Sequence, residues 1–173
     1  MASFDIFLPI LLRFEGGYVD NPNDPGGETN KGVTMTTFRT TAHPLLGIDP
    51  TSPNLRALTD AQAGIIYKHN YWNPMQGDQF PLQDLANIVC DFYVNAGTHA
   101  TSLLQTVMNG LGANVVVDGS LGPGSIQALG ALDQPTVYNH YKQGRINYYQ
   151  GLDAKYPMFL NGWLNRVNSF PNL

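Results

Sequence analysis

The 173-residue chain has the length of one compact domain, or of a catalytic part closely fused to a smaller helical part, and its 43% apolar and 13% charged residues are those of a protein that folds around a core. A formal charge of -4 with no basic run excludes the phosphate-neutralising face of a nucleic-acid binder and the polybasic anchor of a membrane-surface protein. The longest apolar stretch, Ile6 to Leu12, is far shorter than the roughly 20 residues that span a bilayer, so stable membrane insertion is not expected.

Met1 to Asp5 carries an acid instead of the positive charges of a secretory leader, so synthesis in the cytoplasm without Sec-type export is expected. The single cysteine, Cys90, cannot form an internal disulfide and lies in the apolar run Ile88 to Phe92, as a small buried hydrophobe would.

From Phe4, the residues Phe7, Leu8, Leu11 and Leu12 fall on one helical face with Ser3 as N-cap, and Pro9 either kinks this helix or begins it. Glu15 lies eleven positions after Phe4, three turns on, so its carboxylate continues the apolar stripe. Gly16 and Gly17 stop the helix. Asp24-Pro25-Gly26-Gly27 is a turn, and its flanks Tyr18-Val19 and Lys31-Gly32-Val33 are expected to pair as a small hairpin.

Thr34 caps a helix through about Ala42, and residues 43 to 58, with Pro44, Pro50 and Pro53, read as an irregular loop. Thr59 with Gln62 forms a capping box opening a helix that ends near Trp72. Pro81 starts a helix with the stripe Leu85, Ile88, Val89, Phe92 and Ala96, which Gly97 terminates. A second stripe on it, Asp84, Asn87, Asp91 and Asn95, is a solvated face or the border of a groove. Further helices are expected from Thr98 to Leu111, Pro123 to Leu132, Pro135 to Tyr156 and Pro157 to Val167, with a brief extended piece at Val115 to Gly119. The fold class is therefore mainly α with one small β-hairpin after the first helix, and the candidate domain boundary lies near residues 76 to 82.

Two carboxylates stand out. Glycoside hydrolysis needs one carboxylic acid that keeps its proton to protonate the leaving oxygen, and a second group that activates water or steadies the sugar cation. Partial desolvation and the C-terminal end of a helix dipole both favour a protonated carboxyl, which is the setting of Glu15, whereas Asp24 on a polar turn is expected to stay ionised. A glutamate before Gly-Gly is also an ordinary helix end, and an aspartate before Pro-Gly an ordinary turn former.

Glu15-Gly16-Gly17-Tyr18-Val19, then Asn23-Asp24-Pro25-Gly26-Gly27-Glu28-Thr29 and Gly32-Val33-Thr34, strongly resembles the N-terminal signature of glycoside hydrolase family 108. Tyr71-Trp72, the run Asp91 to Gly97, and Asp118-Gly119 with Leu121-Gly122-Pro123 resemble the remainder of that family, including its peptidoglycan-binding C-terminal region. The resemblance implies a lysozyme-like fold, with residues 1–80 as the catalytic part and 81–173 as a helical peptidoglycan-binding part, closely packed together. It implies a muramidase of the kind found among phage endolysins, prophage-encoded enzymes and secretion activators, cleaving the β-1,4 bond between N-acetylmuramic acid and N-acetylglucosamine. Glu15 would be the proton donor, without a cofactor. Eight residues separate it from Asp24, the interval of phage-type lysozymes, and Thr29 or Asn30 would orient water. Lys31 stands where many relatives carry an aromatic residue.

Aromatic rings bind sugars by facing pyranose C–H groups, which makes Tyr18, Tyr71 and Trp72 candidate substrate contacts, with core packing the competing role for the last two. Asp91 and Asn95 are candidates for the same cleft, or for helix-to-helix hydrogen bonds. His43, His69, His99 and His140 show no pair at ligand spacing, so no metal site is expected, and no Gly-x-Ser-x-Gly elbow or phosphate loop is present. The expected partner is the glycan strand of peptidoglycan, reached through a holin or another release route. The alternatives are a non-lytic wall-binding or secretion-accessory protein, and a lytic transglycosylase whose product closes into an anhydro-sugar.

Overall fold

The computed structural model describes residues 1–20 and 27–173, which are mainly α-helical with one two-stranded antiparallel sheet after the first helix. Asp24 and its neighbours in the turn 21–26 lie outside the described residues. The chain divides into two units, Asp5–Asn70 and Met1–Phe4 with Tyr71–Leu173.

In the Asp5–Asn70 unit, helix α1 (Phe4–Phe14) contains Pro9 in its interior instead of beginning there. The proline removes the N–H that would bond to the Asp5 carbonyl, and Asp5 is exposed, so water can take that carbonyl. Phe7 and Leu11, one turn apart, are fully buried. Strands β1 (Thr29–Asn30) and β2 (Val33–Thr34) pair with Asn30 opposite Val33, and Val19 bridges to Thr29.

This differs from the expected pairing of Tyr18-Val19 with Lys31 to Val33, and the reason is turn chemistry. Lys31 and Gly32 have φ of 50° and 74°, and two successive positive φ values make the tight hairpin turn whose twist matches the flanking strands. Residues 31 and 32 therefore form the corner.

Thr34 caps α2 (Met35–Thr41) through the Thr37 N–H, as expected. The stretch 43–58 is more ordered than an irregular loop. A wide π-type turn, Ala42–Leu46, extends α2 until Gly47 closes it at φ 67°, and α3 (Ser52–Arg56) follows with Thr51 as its cap. Pro53 sits in the first turn of α3, where its missing N–H leaves no helical bond unmade, so this proline marks a start. The Thr59–Gln62 capping box opens α4 (Asp60–Tyr67), which a second π-type turn continues to Trp72. Gly64 lets α4 lie against α1, since a Cβ there would come within 2.7 Å of Leu8 Cδ2.

The other unit is built from α5 (Gln83–Ala96), α6 (His99–Gly110), α7 (Pro123–Gly130), α8 (Gln134–Gly151) and α9 (Pro157–Asn168). Gly97 ends α5 at φ 58°. Leu85, Ile88, Val89, Cys90 and Phe92 of α5 are fully buried, as are Leu104 and Met108 of α6 and Val137, Tyr138 and Tyr141 of α8. Gly144 brings α8 close to α6, where an added Cβ would lie 2.8 Å from Leu103 Cδ1.

The polar stripe of α5 is divided: Asn95 is exposed and Asp84 half-exposed, while Asn87 and Asp91 are buried. Asn87 accepts from Gln83 on its own helix, and Asp91 pairs with Arg145 of α8 and Arg166 of α9. The residues Val115 to Gly119 form no strand and are held instead by side chains of α6.

Candidate active site

Glu15 follows directly on α1, its N–H bonded to the Leu11 carbonyl at 3.1 Å, and its side chain is half-buried. The carboxylate lies against the hairpin corner. A Cβ built at Gly32 would come within 2.5 Å of Glu15 Oε2 and overlap the Tyr67 hydroxyl, so both oxygens occupy the small volume that glycine leaves open. The Tyr67 hydroxyl donates to the Lys31 carbonyl at 3.0 Å, fixing the corner to the end of α4. Lys31 Nζ meets Asp60 Oδ1 at 2.6 Å across a partly exposed pair, a second tie between the same two elements. Neither Gly32 nor Tyr67 is among the candidate site residues that the sequence offers. Gly32 carries a signal only within the Gly32-Val33-Thr34 motif, and nothing in the spacing of Tyr67 from Glu15 announces the second.

Thr29 and Asn30 point to opposite sides of β1, as successive strand residues do. Asn30 is buried, with Nδ2 donating to the carbonyls of Leu55 at 2.9 Å and Arg56 at 3.0 Å, so its amide ties the hairpin to the end of α3. Thr29 is half-exposed, with its hydroxyl 3.5 Å from the Gly27 carbonyl.

Tyr18 lies under the Arg56 guanidinium, 4.6 Å from the ring centroid, and its hydroxyl sits near Glu28 without reaching hydrogen-bond geometry. Glu28 accepts from the Ser52 hydroxyl at 2.6 Å, which holds its carboxyl below the usual range. Arg56 stands 3.9 Å from both Glu28 and Asp20. A cavity of about 400 Å³ opens beside these groups, lined by Asp20, Gly27, Glu28, Met35, Arg39 and Ser52 among others.

The remaining candidates lie in the other unit. Trp72 is fully buried, its Nε1 donating to Asp78 at 2.8 Å and its indole against Phe4, over a Gly77 with no space for a side chain. Its ring face is in the core. Tyr71 is half-exposed and meets Tyr93 edge to face. Asp91 is fully buried, with one oxygen 2.6 Å from Arg145 Nη2 and the other 2.7 Å from Arg166 Nη2. Its carboxylate is thereby placed as the hub of a helix-to-helix ion-pair cluster. Asn95 is exposed and donates to the Asp91 carbonyl at 2.6 Å, one turn back on its own helix. The sequence signals for the cluster were an acid on an otherwise helical stripe and two arginines far downstream, and nothing in their spacing couples them.

Comparison with known proteins gives two family matches. The glycosyl hydrolase 108 family matches residues 8–97, and a family described as a predicted peptidoglycan domain matches residues 99–168. Among solved structures, Brucella abortus SagA is similar at 32% identity and a TM-score of 0.76, covering 96% of this chain and 90% of the SagA chain. No curated protein matches.

Proposed function

The chain belongs to the glycosyl hydrolase 108 family, and from that premise we propose that it hydrolyses the β-1,4 bond between N-acetylmuramic acid and N-acetylglucosamine, with Glu15 as general acid. The observation that carries this reading is the seat of the Glu15 carboxyl, half-buried after α1 against Gly32 and the Tyr67 hydroxyl.

The seat suits an acid because it is fixed: the Tyr67 hydroxyl donates to the Lys31 carbonyl and so holds the hairpin corner against which the Glu15 carboxyl lies. A general acid must be held within reach of the leaving oxygen. Asp24, separated from Glu15 by eight residues in sequence, is the proposed second group, assisting water or the oxocarbenium-like sugar. Of the two residues proposed to orient water, Thr29 fits better, since the Asn30 amide is used on Leu55 and Arg56. Tyr18 and Tyr71 remain the proposed sugar-stacking rings, each half-exposed.

No helix among the described residues is long and apolar enough to cross a membrane. The proposed route to the wall is release through a holin or an equivalent pore, as for an endolysin.

Digestion of purified peptidoglycan by the wild-type and Glu15→Gln proteins tests the reading. New reducing ends from the wild type and none from the variant, with similar melting temperatures, are expected. Fragments one water lighter would identify a transglycosylase instead, and wall binding without release of fragments would identify a non-lytic binder.

A further inference from the structure

The loop between α6 and α7 is ordered in an unusual way. Residues 113–120 form no strand or helix, and apart from Gly119 they are exposed or half-exposed, with Val116 at 75% and Val117 at 49%. A loop that buries so little of itself is not held by apolar packing. It is held by a polar stripe on α6, where Thr101, Gln105 and Asn109 succeed one another at single-turn intervals.

The Thr101 hydroxyl donates to the Gly119 carbonyl at 2.6 Å. The Gln105 amide donates to Asp118 Oδ1 and to the Ser120 carbonyl, each at 2.9 Å, and accepts from the Gly119 N–H at 2.8 Å. Asn109 brackets Val115, accepting from its N–H and donating to its carbonyl, both at 2.8 Å. Thr101 and Gln105 are themselves buried, so both use their hydrogen-bonding capacity to fix the backbone of a surface loop. Such pre-ordering removes the entropy cost of arranging the loop when something binds it.

Beside this loop is a cavity of about 380 Å³, within the roughly 300 to 1,000 Å³ of small-ligand sites. Its walls divide by chemistry. Val115, Val116 and Ala128 give an apolar side, while Asn114, Ser120 and Ser125 give neutral polar groups. Ser125 lies in the first turn of α7, whose N–H groups have no acceptor within the helix. Asp118 adds one negative charge to the lining. Gln105 and the Ser120 N–H hold that carboxyl below its usual range, so it is ionised at neutral pH.

We propose that this cavity is a wall-binding subsite, separate from Glu15, that takes the N-acetylated sugar of a glycan strand. An acetamido group has the matching halves, a methyl for Val115, Val116 and Ala128, a carbonyl for the first-turn N–H groups of α7, and an N–H for an acidic acceptor. The Asp118 charge disfavours the carboxylates of peptide stems, so the sugar and not the peptide is the occupant. The proposal rests on the peptidoglycan reading above, and it adds where and by which part of the polymer the strand is held.

Co-sedimentation with insoluble peptidoglycan tests it, in a Glu15→Gln background that leaves the wall intact. Ala128→Trp fills the cavity, and roughly a ten-fold or greater loss of affinity is expected. Val116→Ser acts on an exposed side chain that folding does not need, and a smaller loss of about three-fold is expected. Soluble N-acetylglucosamine oligomers should displace the protein from the wall, whereas de-acetylated glucosamine oligomers and free stem peptides should not. Wild-type sedimentation of both variants, displacement by stem peptide alone, or no sedimentation of the parent protein would each overturn the proposal. Reducing-end release by the Glu15-bearing protein reports the hydrolase reading independently, so the two can fail separately.

Discussion

Arg145 Nη2 meets Asp91 Oδ2 at 2.6 Å with both side chains fully buried, and Arg166 closes on the other Asp91 oxygen from α9. Three helices, α5, α8 and α9, thus share one carboxylate. A buried charge stripped of its partner retains its desolvation cost. Asp91→Ala would leave the fully buried Arg145 without a counter-charge, and a loss of about 3–5 kcal/mol is expected in urea-denaturation midpoints. Arg166→Met, at the 15%-exposed end of the cluster, should cost clearly less. Equal and small losses for both would show that the cluster contributes little.

Gly32→Ala combines two faults, a φ of 74° that L-residues avoid and a methyl group driven into Glu15 and Tyr67. The backbone fault alone is worth about 1–2 kcal/mol. Moving a catalytic group by about 1 Å costs on the order of a hundred-fold in rate. A modest fall in melting temperature with a much larger fall in kcat on soluble glycan fragments is therefore expected. A fall in activity no greater than the stability loss explains would remove Gly32 from the setting of Glu15.

Tyr67→Phe keeps the ring and deletes the hydroxyl that holds the Lys31 carbonyl at the hairpin corner. One lost hydrogen bond costs about 1 kcal/mol, so a small fall in melting temperature is expected. A larger fall in kcat should accompany it, because the corner that faces Glu15 is no longer fixed to α4. An unchanged kcat would show that Tyr67 only supports the fold.

Glu28 bears on acid stability. The Ser52 hydroxyl lowers its folded-state affinity for protons, so in the carboxylate range the unfolded chain binds more protons than the folded one. The stabilisation is therefore present above the ordinary glutamate value of about 4.3 and is lost as pH falls through the lower, folded-state value. Ser52→Ala should flatten melting temperature against pH in that acid window and leave the shape of the curve near neutrality unaltered. An identical acid slope in the variant would count against the Ser52 contact.

The helices were legible in the sequence because their apolar stripes and caps are local. Thr34, Thr59 with Gln62, and Gly97 act within four residues of themselves, and each sits where its chemistry places it. The errors came where a local rule had two outcomes. Pro53 stops a helix in one position and starts one in another, and it was the second that applied. Lys31 reads as a strand residue from its neighbours, but its left-handed backbone makes it the corner. In the candidate site, the half-buried placement of Glu15 was legible from the stripe it continues. Tyr67 and the partners of Asp91 were not, since each pairing joins residues far apart in sequence through contacts that no spacing encodes.

The left-handed corner at Lys31-Gly32 also constrains how this protein can vary in length. Side chains alternate across a strand, so inserting or deleting one residue there would swing Asn30 away from the α3 carbonyls and send Thr29 to the opposite side. Homologues and engineered variants should accept indels in the segment between the π-type turn and α3, around residues 48–50, and keep two residues, no more and no fewer, between Asn30 and Val33.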